Sequence, residues 1–516
     1  MITDPTHTHP RIDIPRARRA RGRRLGLLAA AVTLLAAAPA HAAPQWLAPQ
    51  PVSPPGQDAR EQQIALDPGG DAVVVWQATG SPHTSILASA QPAGGAFGAA
   101  QTLSDPSADS TRPDVASDAH GDAVAVWLHA EGGTTRVQAS YRPAGGAFGA
   151  VQTLSPAGLE AAEPRVAMDG AGDALVIWRL STGGQSEIEV ASAAPGGAFG
   201  APVGLTALTA NASVPQVAFD AHGDALAVWD GWDGANIRIE DAARPAGGSF
   251  GAPQLLSPAG YNADTPQVAF DAAGDALATW RFDGPPASTV QASYRPAGGE
   301  FSAIQTVSAS SSQPAQAPQV AFDGEGYGVL AWQQSDGSEL RVYASARTPG
   351  DSGTFAVPGT LDPGGQEAYE PRIAGDGLSE TIVTWKTFDG ANYTTQAAAR
   401  PAGASFGPAS TISPTSPEES SPEVAIDAQG DAIAVWSRFN ATNYLVEAAS
   451  YVGAANTLGG TSTTGGATTG VTAPTGGGQP QTSSTSGKRR HRRHGRHHGR
   501  RHGRRRGHRH GRKSSH

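Results

Sequence analysis

The stretch PQVAFDAHGDALAVWDGWDGANIRIEDAARPAGGSFGAPQLLSPAG, residues 215–260, recurs along most of the chain. Its landmark, Trp229, has counterparts at Trp76, Trp127, Trp178, Trp280, Trp332, Trp385 and Trp436, a step of 51 residues that stretches only to 52 and 53 late in the series. Nine residues before each tryptophan stands an aspartate: Asp67, Asp118, Asp169, Asp220, Asp271, Asp323, Asp376 and Asp427. A second aromatic follows in seven copies, at Phe97, Phe148, Phe199, Phe250, Phe301, Phe355 and Phe406, and the eighth copy has none. A fixed period of this length marks a repeat architecture and overrides the rule that would cut 516 residues into several domains.

The missing aromatic lies at the other end of the repeats. WLAPQPVSPPG, residues 46–56, aligns without a gap on FGAPQLLSPAG, residues 250–260, and Trp46 sits 51 residues before Phe97. The first unit therefore opens with the last quarter of a repeat that the final unit lacks. A linear solenoid ends in altered capping units instead. A ring uses such a split, because a strand from the N-terminus can complete the last sheet and leave few unpaired edges. The expected fold is all-β, a single eight-bladed β-propeller of four-stranded repeats closed by that N-terminal strand.

Alternation and turn chemistry place four strands in each repeat. PQVAFD is the first and DALAVW the second, joined by an Asp-x-x-Gly-Asp turn that suits backbone capping by the aspartate and positive φ at the glycine. Ser379 replaces that glycine once. The third strand, typified by residues 288–296, ends in a Pro-Ala-Gly-Gly turn, and the fourth is expected to begin on the ladder phenylalanine, as in FSAIQTVS, residues 301–308. Both faces of DALAVW are apolar, as a blade packed between two neighbours requires. The two turns just named hardly vary between copies. The connections between strands two and three and between successive repeats do vary, and in a propeller both emerge on one side of the disc, the expected ligand face.

Outside the repeats the chain changes character. Residues 1–42 combine the basic run RARRARGRR, the apolar LGLLAAAVTLLAAA and Ala40-His41-Ala42, the pattern of an export signal cleaved near Ala42. Residues 43–452 form the expected propeller, residues 453–487 an uncharged Gly/Ser/Thr-rich linker, and residues 488–516 a basic tail. The tail holds 14 Lys and Arg and no acid, whereas the propeller keeps 16 basic against 44 acidic residues, or −28, which the overall net charge of −9 conceals. Such a tail is expected to be disordered when free and to bind polyanions by counterion release, through Arg489, Arg490, Arg492, Arg493, Arg500, Arg501, Arg504, Arg505 and Arg506. After export, its expected partners are an anionic cell-wall polymer or a membrane surface, which places the protein outside the cell or on its surface. Its eight histidines would add charge as pH falls. The chain has no cysteine, which excludes disulfides and thiolate metal sites.

The variable loops hold the candidate ligand-binding residues. Trp232, Asp233 and Asn236 follow Trp229; Phe388, Asp389, Asn392 and Tyr393 follow Trp385; Phe282 with Asp283, and Phe439 with Tyr444, take similar places. An aromatic ring beside a carboxylate or amide can stack on a sugar and bond its hydroxyls. The same Asp-Gly-Ala-Asn sequence is also a favourable turn, with the aromatic a lid over the blade edge. No catalytic residue, metal site or cofactor is expected: each Asp-x-x-Gly-Asp turn offers two carboxylates where calcium needs six or more oxygens. Arg142, Arg244, Arg295 and Arg400 share one repeat position, which suggests scaffold use. A hydrolase would need an acid pair off the repeat at the axial mouth, and a mouth lined by alanine and valine would count against one.

The segment VAFDAAGDALATW, residues 268–280, resembles the inner hairpins of bacterial β-propeller repeats such as the NHL and sugar-lactonase-like groups. The resemblance covers about thirteen residues per blade and implies the fold. Lactonase-like members are implied to hold a metal at the axis with unlike residues from different blades, and no matching set stands out in this sequence. The expected function is an exported, non-catalytic, monomeric binding protein that presents its variable face to a carbohydrate or protein and is retained at the cell envelope by its tail. The alternative is a glycan hydrolase or lactonase.

Overall fold

Each inner hairpin is built around its repeat aspartate. The Asp67 Oδ1 accepts the backbone N–H groups of Gly69 and Asp71 at 2.9 and 2.8 Å, and Asp118, Asp169, Asp220, Asp271, Asp323 and Asp427 do the same in their own turns. The glycine of the turn is demanded twice over. Gly121 has φ +85°, and a Cβ there would lie 2.8 Å from Asp67 Oδ2 of the preceding blade. The second aspartate ties the two conserved turns together: Asp122 Oδ1 accepts the Ala144 N–H at 2.7 Å, and Asp275 that of Ala297 at 2.8 Å. These carboxylates are committed to backbone donors, as capping requires.

A computed structural model describes residues 44–453 apart from 81, 310–311 and 376–379. The export segment, the linker beyond Gly453, the basic tail and the Ser379 turn lie outside the described residues. The described chain folds into eight antiparallel sheets, seven of four strands and one of five, arranged as the expected eight-bladed β-propeller. The five-stranded sheet contains both ends of the propeller. Gln45–Trp46 pairs with Tyr451 and Val452, and Gln50–Pro51 pairs with Glu447 and Ala448. Leu47 N–H donates to the Ser450 carbonyl at 2.7 Å. Trp46 packs beside Trp436, Ile412 and Ala434, the place that the ladder phenylalanine takes in the other blades, with its ring 5.2 Å from that of Tyr451.

All eight repeat tryptophans are fully buried. They fill the wedges between blades: Trp127 of the second blade packs with Val73 and Val75 of the first and with Phe148.

Two strand boundaries differ from expectation. The fourth strand does not start on the phenylalanine but is only two or three residues long and begins later, as at Gln305–Thr306 after Phe301. At the aromatic the chain turns toward the preceding blade, where Phe148 N–H donates to Gln101 Oε1 at 3.0 Å and Phe199 N–H to Gln152 Oε1 at 2.9 Å. The first strand instead starts earlier than PQVAFD, as in Ala263–Phe270, and is broken by a bulge.

Replacing a wedge tryptophan such as Trp229 by alanine is expected to cost about 3–5 kcal/mol in denaturant unfolding. Trp46→Ala, at a half-buried site, should cost less but should speed amide exchange across residues 444–452. Exchange that changes only at residues 44–51 would show that closure does not hold the last blade.

Candidate functional site

The bulge in the first strand creates the site. Its central residue has positive φ in seven blades although none is glycine: Glu61, Arg112, Glu163, Val214, Thr265, Ala317 and Glu370, all between 51° and 55°. In six of these blades the next residue is proline, which an innermost edge strand tolerates because its N–H has no ladder partner to lose. Such backbone is strained by about 1–3 kcal/mol per residue and persists only where its surroundings hold it. Neighbouring blades supply that hold. Glu61 Oε2 accepts the Arg112 N–H at 3.1 Å, Glu163 Oε2 accepts the Val214 N–H at 2.8 Å, and Gln333 Oε1 accepts the Glu370 N–H at 2.7 Å.

Two residues past the bulge, each blade sends one side chain toward the axis. Gln63, Asp114, Arg165, Gln216, Gln267, Gln319, Arg372 and Glu423 line a common cavity of about 250 Å³ in the channel. Arg372 pairs with Glu423 at 2.8 Å, which holds the guanidinium pKa above its usual value. Asp114 accepts the Val166 N–H at 3.0 Å, and burial pushes its carboxyl pKa up against the pull of Arg165. On the side of the fixed turns the channel becomes apolar, lined by residues such as Phe270, Val320, Phe322 and Ile426.

Above the polar ring, on the face of the variable loops, a cavity of about 540 Å³ opens among the seventh, eighth, first, second and third blades. Its lining includes Arg60, Glu61, Arg112, Glu163, Arg165, Arg372, Glu418, Glu419, Glu423 and Tyr444. At the bulge the fourth, fifth and sixth blades carry Val214, Thr265 and Ala317 instead, and glutamines in the ring. Departures from the repeat thus gather on one side of the mouth. The eighth blade departs furthest, since its first strand shrinks to Glu423–Ile426 and Glu419 stands where six other blades have alanine and one has Ser110. Glu419 is buried, and the Thr395 and Ser413 hydroxyls donate to it. Burial pushes its pKa up to about 7; those hydroxyls and Lys386 oppose the rise, and Glu447 adds to it.

The loop candidates are dispersed. Asp233 Oδ1 accepts the N–H groups of Ala235 and Asn236, both at 2.8 Å, and its Oδ2 takes Arg238 at 3.1 Å. Asp389 caps Ala391 and Asn392 in the same way. Trp232 is 44% exposed on its own blade. Phe282 lies edge-on to Tyr261 at 5.6 Å, and Asp283 pairs with Arg281 at 3.2 Å. Phe388 stacks on Tyr393 at 4.6 Å, and Tyr393 continues through Lys386 to Glu370 beside the mouth. Phe439 leans on Tyr444 at 5.2 Å, and the Arg60 guanidinium stacks over the Tyr444 ring at 3.4 Å. Of the candidates only Tyr444 lines the mouth cavity. The axial ring was missed by sequence reasoning, although its signal is visible as a column of amides and charges four residues before each repeat aspartate. Among the described residues no group of three or more His, Asp or Glu side chains could hold a metal ion.

No family model and no curated protein matches this chain. Solved structures do resemble it. An ulvan lyase described as a polysaccharide lyase superposes with a TM-score of 0.43 at 8% identity, covering 64% of this chain and 89% of its own. An α-L-arabinofuranosidase of Fusarium graminearum bound to arabinobiose gives 0.39 at 10% identity, covering 80% and 99%. A protein of unknown function from Dyadobacter fermentans gives 0.35 at 12%, covering 61% and 98%. The likeness is one of fold.

Because the folded-state pKa of Glu419 lies above its ordinary 4.5, the folded protein holds an extra proton between about pH 4.5 and 7. This group's contribution to stability therefore falls as pH rises through that window. Glu419→Gln is expected to raise the melting temperature at pH 8, by a stabilisation on the order of 2 kcal/mol, and to leave it unchanged at pH 4. An equal effect at both pH values in thermal denaturation would contradict this.

Proposed function

We propose that this protein is a binding propeller that takes a saccharide in the axial mouth of its variable face. The observation that carries this reading is the convergence of symmetry-breaking residues on one cavity. A scaffold of near-identical blades needs no difference at that place, whereas a ligand site does. A cavity of about 540 Å³ falls in the range of small-ligand sites. Its lining of guanidinium, carboxylate and hydroxyl groups suits a ligand rich in hydroxyls.

Binding without catalysis is favoured by how the carboxylates are used. Glu61 and Glu163 hold the strained bulges of the following blades, Glu370 takes the Ser421 hydroxyl and Lys386, Glu423 pairs with Arg372, and Glu419 accepts two hydroxyls. A glycosidase needs two carboxyl groups that both reach the sugar. The glycan-cleaving reading rests on one observation: Glu419, held near neutral pKa, lines the cavity together with Glu418 and Glu423. Lactone cleavage, suggested by the inner-hairpin resemblance, has no further support. We also propose that the protein is exported as a monomer and held at the cell envelope by the tail at residues 488–516.

A glycan array read with the full chain and with a truncation lacking residues 488–516 tests both parts. Neutral oligosaccharides should bind the two equally, and retention on anionic cell wall at low salt should need the tail. Glu418→Trp, which places a large ring on the exposed rim of the cavity, should abolish saccharide binding, while Trp232→Ala should leave it intact. The opposite pattern would move the site to the loops. Release of reducing ends that is lost in Glu419→Gln would replace the binding reading with the hydrolase.

A further inference from the structure

Arg60, Arg112 and Arg165 come from three successive blades and line the same mouth cavity. Among the described residues none of them has a carboxylate within ion-pair distance, although other arginines of the propeller do, among them Arg136, Arg238 and Arg341. The acids beside them are turned to other work. Glu61 and Glu163 accept backbone N–H groups of the following blade, and Glu163 also faces Arg179 at 3.5 Å. Arg60 is further held by stacking 3.4 Å over the Tyr444 ring, which uses the face of the guanidinium and leaves its N–H edges open. Arg165 also lines the narrower ring below, so the three positive groups run from the rim into the channel. The cavity also carries Glu61, Glu163, Glu418, Glu419 and Glu423, so what sets these arginines apart is the lack of an ion-pair partner and not a local excess of positive charge.

Resting on the saccharide reading, we infer that the mouth selects an acidic sugar, a uronate, whose carboxylate is held by Arg60 and Arg112 with Arg165 deeper in the channel. A planar carboxylate accepts two parallel N–H bonds from a guanidinium, the strong and directional form of this contact. The sugar hydroxyls then face Glu418 and Ser420, which line the same cavity.

The test uses the full chain and titration calorimetry with galacturonate and glucuronate trimers and with their methyl esters, which keep the rings and remove the charge. At least one acid trimer should bind, its ester at least tenfold more weakly. The double variant Arg60→Gln/Arg112→Gln should lose at least tenfold for the acid with an unchanged melting temperature, and Arg136→Gln, whose side chain pairs with Glu131 and does not line the cavity, should change affinity less than twofold. Equal binding of acid and ester, no loss in the mouth variant, or no binding of either acid would overturn the inference. If the esters bind as well as the acids and Glu418→Trp abolishes both, the saccharide site stands and only its charge preference falls.

Discussion

Ring closure is the constraint on which everything else depends. Eight wedges packed around an axis leave two sheet edges and two apolar blade faces unless the first and last blades meet. The contact of Gln45–Trp46 with Tyr451 and Val452 supplies the missing outer strand, and Trp46 supplies the aromatic that the eighth repeat omits. Bringing together residues roughly 400 apart carries an entropic cost that grows only slowly with loop length, and every intervening interface offsets it. The cluster joining Trp76 and Val74 to Val435 and Val446 is the interface that closure creates.

Once the ring is closed, the repeat sorts its own residues by role. The turn aspartates of the described turns, the eight wedge tryptophans and the arginines that four blades carry before Pro-Ala-Gly serve the scaffold: Arg244 and Arg295 bond the carbonyls of Gly248 and Gly299, and Arg142 that of Gly121. The first strand is different. Its bulge departs from regular pairing in seven blades, and at Arg112, Val214 and Glu370 a side chain of the preceding blade accepts the bulge N–H. That costs regular ladder bonds and gains control over which side chains reach the axis. Strain and functional geometry meet at the same residues, which is why the mouth carries carboxylates as well as guanidinium groups, not the alanine and valine that would argue for a plain plug.

The aromatic loops illustrate how the same residues serve two readings. Asp233 and Asp389 spend an oxygen on their own turn, so the Asp-Gly-Ala-Asn sequence is accounted for by local capping. Tyr444 lies under the Arg60 guanidinium and forms part of the mouth wall, whereas Trp232 stays exposed on its own blade. The two positions are cross-strand partners in the repeat: Trp232 corresponds to Phe439, which faces Tyr444 across the hairpin as Trp232 faces Ile237. In the eighth blade the first strand is also shortened, to Glu423–Ile426.

From the amino-acid order alone, the blade number, the closing strand and the scaffold residues could be derived, because period, turn chemistry and the displaced quarter repeat are local or additive properties. The ring of Gln63, Asp114, Arg165, Gln216, Gln267, Gln319, Arg372 and Glu423 was present in the letters as a column, yet nothing in one dimension says that this column faces an axis and the neighbouring one a blade interface. A single bulge residue reverses that assignment, since a shift of one residue in a strand exchanges its two faces. The bulge is held by carboxylates 51 residues away in sequence, and the ladder aromatic ahead of the fourth strand by a glutamine 47 residues away. Such interactions exist only after neighbouring blades are packed, so the location and charge of the candidate site were decided by the tertiary structure.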